Sequence, residues 1–412
     1  MKKKFLAAAI GAMLIGGSAT AVVKSHDGVG DVLIAPGYLT TKGYSTDIKV
    51  VNTSLTKSVV AKVVFRDPIQ SNETLDFLIY LSPSDVWKAR VTCATFDAAG
   101  VCTKSTVVSA DDSMLNENSD VFGTTAVPAV ITSDNLTSAA TNRQALPSAG
   151  YFEIFESVAL DVAPNKPGVL KSNILAAYNA HGVVICQPEN PVCLASETAN
   201  VLTGSVTINT HTGFDAAQPV AQKATLPMVA LESYKNTQKL LVGVLTGFDN
   251  PVGTATVADV EEALWVNNVV LPYDFSNGTT IALFNFPTKL TYDLKRNGQF
   301  SFASQTCVEA DVYDNLENSI LGLTYNVSPL PKINPACLNE FHALQVGGAG
   351  AAITTGSYTE GWARVRFQGA APAVAQTVTP GHSVNTGRLG VPAIVSYLTT
   401  APFAWTYAAS AR

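Results

Sequence analysis

The run Val59-Val60-Ala61-Lys62-Val63-Val64-Phe65 decides the fold class. Val59, Ala61, Val63 and Phe65 share one wholly apolar face at the strand period of two, while Val60, Lys62 and Val64 make a mixed one. Working outward, Thr46-Asp47-Ile48-Lys49-Val50 and Asp31-Val32-Leu33-Ile34-Ala35-Pro36 read as earlier strands. Downstream, Leu75, Phe77, Ile79 and Leu81 line one face of a fourth strand, and Val86-Trp87-Lys88-Ala89-Arg90-Val91 makes a fifth. Asn52-Thr53-Ser54 and Ser71-Asn72-Glu73 supply turn chemistry between them. Five short strands in about sixty residues predict an antiparallel meander with one buried face.

Beyond this block the signal is intermittent. Residues 109–148, rich in Ser, Thr, Asn, Asp and Ala, read as a long loop or insertion. Strands are expected at Tyr151–Glu156, Ser205–Asn209, Thr280–Phe286 (stopped by Pro287), Cys307–Tyr313, Trp362–Phe367 and Val391–Leu398. Residues 167–180 have helical spacing through Leu170, Ile174, Leu175 and Tyr178, and 257–265 reads as a short helix with Glu261 and Glu262 exposed. The patterns give about eleven strands and two or three helices, with no repeat period of a solenoid or propeller. The expected fold is mainly β: one large antiparallel β-sandwich, immunoglobulin-like, with helical and loop insertions over residues 22–412. The alternative is two β-domains, 22–235 and 236–412.

The first 21 residues stand apart from the fold. Met1-Lys2-Lys3-Lys4 is a basic start, Phe5 to Ile15 is apolar, and Ala19-Thr20-Ala21 fits the small-x-small pattern of signal peptidase. Residues 1–21 therefore read as a signal peptide, and its removal takes the net charge from −6 to −9. No later stretch is apolar and long enough to span a membrane as a helix. The expected location is secreted, extracellular or at the cell surface.

Charged residues make up 14% of the chain and hydrophobic ones 47%, where about 25% charged is ordinary. That composition excludes a disordered chain, and with no basic block or stripe along the sequence nucleic acid is not an expected partner. The six cysteines suit an oxidising compartment. They allow fifteen connectivities, of which sequential pairing, Cys93/Cys102, Cys186/Cys193 and Cys307/Cys337, closes the shortest loops. A zinc site would need paired C-x-x-C or His neighbours, which are missing.

The five histidines, at 26, 181, 211, 342 and 382, lack metal-binding spacing, and no nucleophile elbow, Walker loop or dinucleotide fingerprint occurs. The chain is therefore expected not to be an enzyme, with a triad assembled from distant residues as the remaining route to one. Glu153 and Glu156 lie three apart on a strand, which disfavours a paired-carboxylate site built from these two alone. Two acidic-amide clusters carry hard oxygen ligands: Asp111, Asp112, Asn116, Glu117, Asn118 and Asp120, and Asp311, Asp314, Asn315, Glu317 and Asn318. They are the candidate calcium ligands, against the plainer reading of solvated loops. No other cofactor is expected. Trp87, Trp265, Trp362 and Trp405 are candidates for a sugar-stacking platform, against the plainer reading of core aromatics.

Taken together, Asp31–Pro36, Lys49-Val50-Val51-Asn52-Thr53, Leu81-Ser82-Pro83-Ser84-Asp85-Val86-Trp87, Gly150-Tyr151-Phe152-Glu153, Phe286-Pro287-Thr288-Lys289 and Gly390-Val391-Pro392-Ala393-Ile394 have a family look. The set resembles a group of exported bacterial proteins described only as hypothetical or cell-surface proteins. The resemblance spans most of the mature chain through short motifs. It implies a surface or extracellular role and carries no catalytic residues.

The leading expectation is a secreted, non-enzymatic structural protein of the cell surface that self-assembles as an array or filament subunit. In that reading Val32, Leu33, Ile34 and Ala35 form an exposed strand that adds to a neighbour's sheet edge, and deleting residues 22–36 leaves a folded monomer. The alternative is an extracellular binding module or adhesin holding a glycan or another cell-surface protein.

Overall fold

The structure is a computed structural model. It describes residues 22–40, 44–68, 73–98, 102–109, 113, 129–131, 148–161, 199–212, 220–233, 257–274, 279–288, 306–316, 318–323, 336–338, 340–347, 353, 355–367 and 391–400.

The strands run in chain order as β1 (Val22–Lys24), β2 (Val32–Ile34), β3 (Tyr38–Leu39), β4 (Ser45–Asn52), β5 (Lys57–Arg66), β6 (Glu73–Leu81), β7 (Val86–Phe96) and β8 (Cys102–Val108). There follow β9 (Ala129–Ile131), β10 (Ala149–Asp161), β11 (Leu202–Thr212), β12 (Val220–Pro227) and β13 (Val229–Ser233). After the helix α1 (Val257–Ala263) come β14 (Trp265–Val266), β15 (Asn268–Asp274), β16 (Thr279–Asn285), β17 (Thr306–Asp314) and β18 (Ser319–Leu323). The last are β19 (Ala336–Leu338), β20 (Phe341–Val346), β21 (Glu360–Phe367), β22 (Val391–Pro392) and β23 (Ile394–Thr400). The mainly-β, antiparallel expectation holds. The expected helix at 167–180 lies outside the described residues, and Glu261 of α1 is buried rather than exposed.

The five strands of the opening block do not form one meander. A seven-stranded sheet runs β1-β13-β2-β10-β5-β6, with β3 on β10, and a six-stranded sheet runs β12-β11-β4-β7-β8-β9. Consecutive strands β4 and β5 thus lie in different sheets, as do β6 and β7. Asn52 makes the crossing possible. Its buried side-chain amide donates to the carbonyls of Lys57 (2.7 Å) and Ser82 (3.0 Å), and its Oδ1 accepts from the Ser54 amide (3.0 Å). One side chain thereby satisfies backbone groups of both crossing loops, which burial would otherwise leave unpaired.

The two sheets share a core. Leu33, Ala61, Val63, Phe65 and Phe152 of the larger sheet join Ile48, Val50, Trp87, Val91, Val206 and Leu226 of the smaller one. Phe77 meets Trp87 edge-on at 5.8 Å between ring centroids.

A second core lies between a five-stranded sheet, β15-β21-β17-β18 with β19 on β17, and a three-stranded sheet, β20-β16-β23. The three-stranded sheet is a wall common to both cores. Leu283, Phe341, Ile394 and Leu398 belong to the first, and Ala282, Phe284, Leu344 and Val395 to the second. This explains the unbroken apolar run Ile281-Ala282-Leu283-Phe284, because a strand covered on both faces has no polar alternation. Asn285 Nδ2 donates to the Ala35 carbonyl at 3.0 Å, and the Phe341 amide to the Pro68 carbonyl at 3.0 Å. Gly37 packs against the Phe341 ring, which occupies the place a Cβ would take.

Candidate functional site

The expected assembly strand lies inside a sheet. Val32, Leu33 and Ile34 pair on one side with β10 (Phe155, Ile154 and Glu153) and on the other with β13 (Leu231, Ala230 and Val229). These three side chains and Ala35 are fully buried. The expectation of an exposed strand is therefore corrected: four consecutive apolar side chains suit a strand covered on both faces, and their lack of alternation is the sign of it. Burying each contributes about 1.5–3 kcal/mol for the larger residues. Deleting residues 22–36 would open the sheet, so no folded monomer is expected from that truncation.

The amino-terminal segment holds β13 from both sides. Val22, Val23 and Lys24 pair with Ser233, Glu232 and Leu231, so β1 and β2 flank the same strand. Between them, Gly30 forms a bridge with Leu202 of β11, each amide donating to the other's carbonyl at 2.9 Å. A Cβ on Gly30 would collide with the Leu231 carbonyl, so only glycine brings the segment this close to β13.

Asp31 and Glu156 fasten the segment from within. Both carboxyls are buried. Asp31 Oδ1 accepts from the Asn200 amide at 2.6 Å, and Glu156 Oε1 from the Ala199 amide at 3.1 Å. Glu156 Oε2 finds no protein donor, and the Asp31 carboxyl lies close enough to the Glu156 side chain to act on it directly. Two carboxylates cannot bond without a proton between them. Burial, then the Asp31 charge, push the Glu156 carboxyl well above its usual range, against the pull of the Ala199 and Val201 amides. Both carboxyls are closed off from solvent, and their contacts fasten the segment to the residues at 199–200. Sequence reasoning weighed Glu156 against Glu153 and missed Asp31, because the pairing of β2 with β10 is what joins them. Glu153 instead pairs with Arg66 at 3.0 Å, both side chains fully buried.

The calcium candidates Asp111, Asp112, Glu117, Asp120 and Glu317 lie outside the described residues. Asp311 lies on the face of β17 away from the core yet is buried, covered by Arg364 and Arg366, which donate to its two oxygens at 2.8 and 3.0 Å. Asp314 closes a turn, accepting from the Leu316 and Asn318 amides at 2.9 and 2.8 Å. Among the described residues no three His, Cys, Asp or Glu side chains gather as a metal site would need.

Cys93 and Cys102 form a disulfide across the β7–β8 hairpin. Cys307 and Cys337 are direct Cα partners in the β17–β19 ladder, and Cys186 and Cys193 lie outside the described residues. Of the aromatic candidates, Trp87 is core. Trp362 stacks on Tyr313 at 4.0 Å with their planes 15° apart, so each ring spends one face on the other. Trp265 is half-buried and donates to Asn267 Oδ1 at 3.2 Å, while Trp405 lies outside the described residues.

Among the described residues no helix is long and apolar enough to cross a membrane. Comparison of the chain with protein-family models, curated proteins and solved structures returned no match.

Proposed function

We propose that this protein is an exported, non-enzymatic structural protein of the cell surface whose copies join by exchanging the amino-terminal segment, residues 22–36. The observation that carries the reading is the placement of β1 and β2 on either side of β13. This segment is tied to the body through backbone ladders, the buried side chains of Val22 and Val32–Ala35, and one pair of carboxyls. The same segment of a second copy presents identical groups, so exchange between chains conserves every hydrogen bond and every buried side chain. The expected signal-peptide cleavage after Ala21 would start the mature chain at Val22, the first residue of β1. A strand at a free chain end leaves its slot without unthreading anything.

The test exploits the pairing of Val23 with Glu232. Cysteines introduced together as Val23→Cys and Glu232→Cys stand within bridging distance, because cross-strand Cα atoms are about 4.5–5.5 Å apart. In a closed monomer the introduced bridge is intramolecular, and in an exchanged assembly it links neighbours into a covalent ladder on a non-reducing gel. Peptide mapping assigns the bridge against the native cysteines. Regular polymers whose introduced bridges are all intramolecular would overturn strand exchange, and a strictly monomeric mature protein would overturn assembly itself.

A further inference from the structure

The outer face of the six-stranded sheet is basic, in a chain of net charge −6. Ile48 and Val50 of β4, Trp87 and Ala89 of β7, and Ala224 and Leu226 of β12 turn into the core. Their neighbours Asp47, Lys49, Lys88, Arg90, Lys223 and Thr225 therefore point outward, and all but the half-buried Asp47 are exposed. Asp47 is the one acid that these strands place on this face among the described residues. It is already engaged, accepting from Arg90 Nε at 2.5 Å, Arg90 Nη2 at 3.0 Å and Asn209 Nδ2 at 3.1 Å.

Lys49 and Lys88 are direct cross-strand partners. Like charges placed opposite one another cost the sheet stability, and neither lysine makes an ion pair among the described residues. Lys223 stands on the same face two strands away from β4, opposite Asn209, and its charge also acts on Asp47. Ser205 faces Lys49, and Thr207 shares a hydrogen bond with Thr225 at 2.9 Å, so hydroxyls fill the ground between the ammonium groups.

We propose that this face binds an acidic polysaccharide, a linear chain of carboxylated or sulfated sugars. Lys49, Lys88 and Lys223 would take the anionic groups and the Ser and Thr hydroxyls the sugar hydroxyls. A protein partner would call for an apolar centre inside a polar rim, and here the polar groups hold the centre. Single-stranded nucleic acid would call for aromatic platforms, and no aromatic ring stands between these lysines. Lys49 and Lys88 stand about 5 Å apart across the strands, and Arg90 about 7 Å along β7 from Lys88. Lys223 lies in the row of Ser45, four residues along and two strands over from Lys49, a spread that suits an extended polymer more than a compact anion. Binding of this kind would retain an exported chain at an acidic envelope without a membrane-spanning helix, and it does not depend on strand exchange.

The experiment measures binding of the oxidised mature protein to immobilised polygalacturonate and heparin, with neutral dextran and duplex DNA as comparisons. Binding to one or both acidic polysaccharides is expected at about 50 mM salt, fading toward about 0.5 M as screening shortens. Lys49→Glu with Lys88→Glu should weaken it about tenfold or more. The charge-matched pair Lys57→Glu and Lys62→Glu, on the other sheet, should change it less than about threefold. Both double variants involve strand residues, so their circular dichroism and melting temperature are checked against the parent.

Absence of binding at low salt, or equal losses in the two double variants, would overturn the proposal. Equal affinity for duplex DNA would overturn its assignment to polysaccharide. Salt-sensitive self-association lost on Lys49→Glu and Lys88→Glu would make the face a contact between copies and overturn it as well. Polymer formation untouched by that variant, alongside lost polysaccharide binding, separates this inference from the assembly reading.

Discussion

Replacing Glu156 by glutamine removes a proton-binding group from the buried pair while keeping its shape. The new amide donates to Asp31, as the shared proton does, and its oxygen still accepts from the Ala199 amide. In the parent protein the Glu156 carboxyl is raised by burial and by Asp31, so the folded state holds a proton that the unfolded chain releases near pH 4.5. The folded form therefore binds more protons, and stability falls as pH rises. The contribution is fully present below the unfolded value and is lost as pH climbs through the raised folded value. For one proton the slope cannot exceed about 1.4 kcal/mol per pH unit. As pH rises from 5 to 7 the glutamine variant should therefore gain on the parent, within that ceiling. Glu156→Ala, by contrast, leaves a buried amide unpaired and a cavity, and should lose about 2–4 kcal/mol at either pH. Urea unfolding at pH 5, 6 and 7, followed by circular dichroism, reads both. Parallel parent and glutamine profiles across this range would refute a proton shared between Asp31 and Glu156.

Gly30→Ala should cost about 1–3 kcal/mol through the collision with the Leu231 carbonyl. Amide exchange should speed up at residues 31–34 before it does in β5. Replacing Cys93 and Cys102 by serine should cost about 2–3 kcal/mol on loop-closure grounds, seen as a lower urea midpoint; an unchanged midpoint would mean the hairpin is closed as tightly without the bridge. Asp311→Asn should cost about 1–3 kcal/mol, since the Asp311 side chain is only 3% exposed and serves two guanidiniums, although the arginines themselves are 41% and 44% exposed. Added calcium should leave the melting temperature of the parent unchanged at this site, whereas a rise abolished by Asp311→Asn would restore the metal reading.

Much of the strand content was legible because burial writes itself into alternation. The boundaries of β4, β5 and β6 lie close to their apolar runs, while β10 continues five residues past Glu156. Strands such as β12 (Val220–Pro227) and β13 (Val229–Ser233) were missed: each is short, and only Met228 separates them. The expected meander failed because alternation reports which face is buried and is silent about which strand lies alongside. The basic face escaped notice for the same reason. Lys49, Lys88, Arg90 and Lys223 form no block along the chain, and only the register of β4, β7, β11 and β12 gathers them.

From the sequence alone came the β class, the expected export signal, the turn-forming role of Asn52-Thr53-Ser54 and the pairing of Cys93 with Cys102. All of these rest on local chemistry: side-chain period, turn propensity and the low entropy cost of closing a short loop. Tertiary structure alone decided that Val32–Ile34 is an interior strand, that Asp31 meets Glu156 and that Lys49 opposes Lys88. Each joins residues far apart in the chain, and which distant backbone completes a ladder is set by packing the whole molecule into shared cores. That choice is a property of the assembled sheets, and no window of sequence contains it.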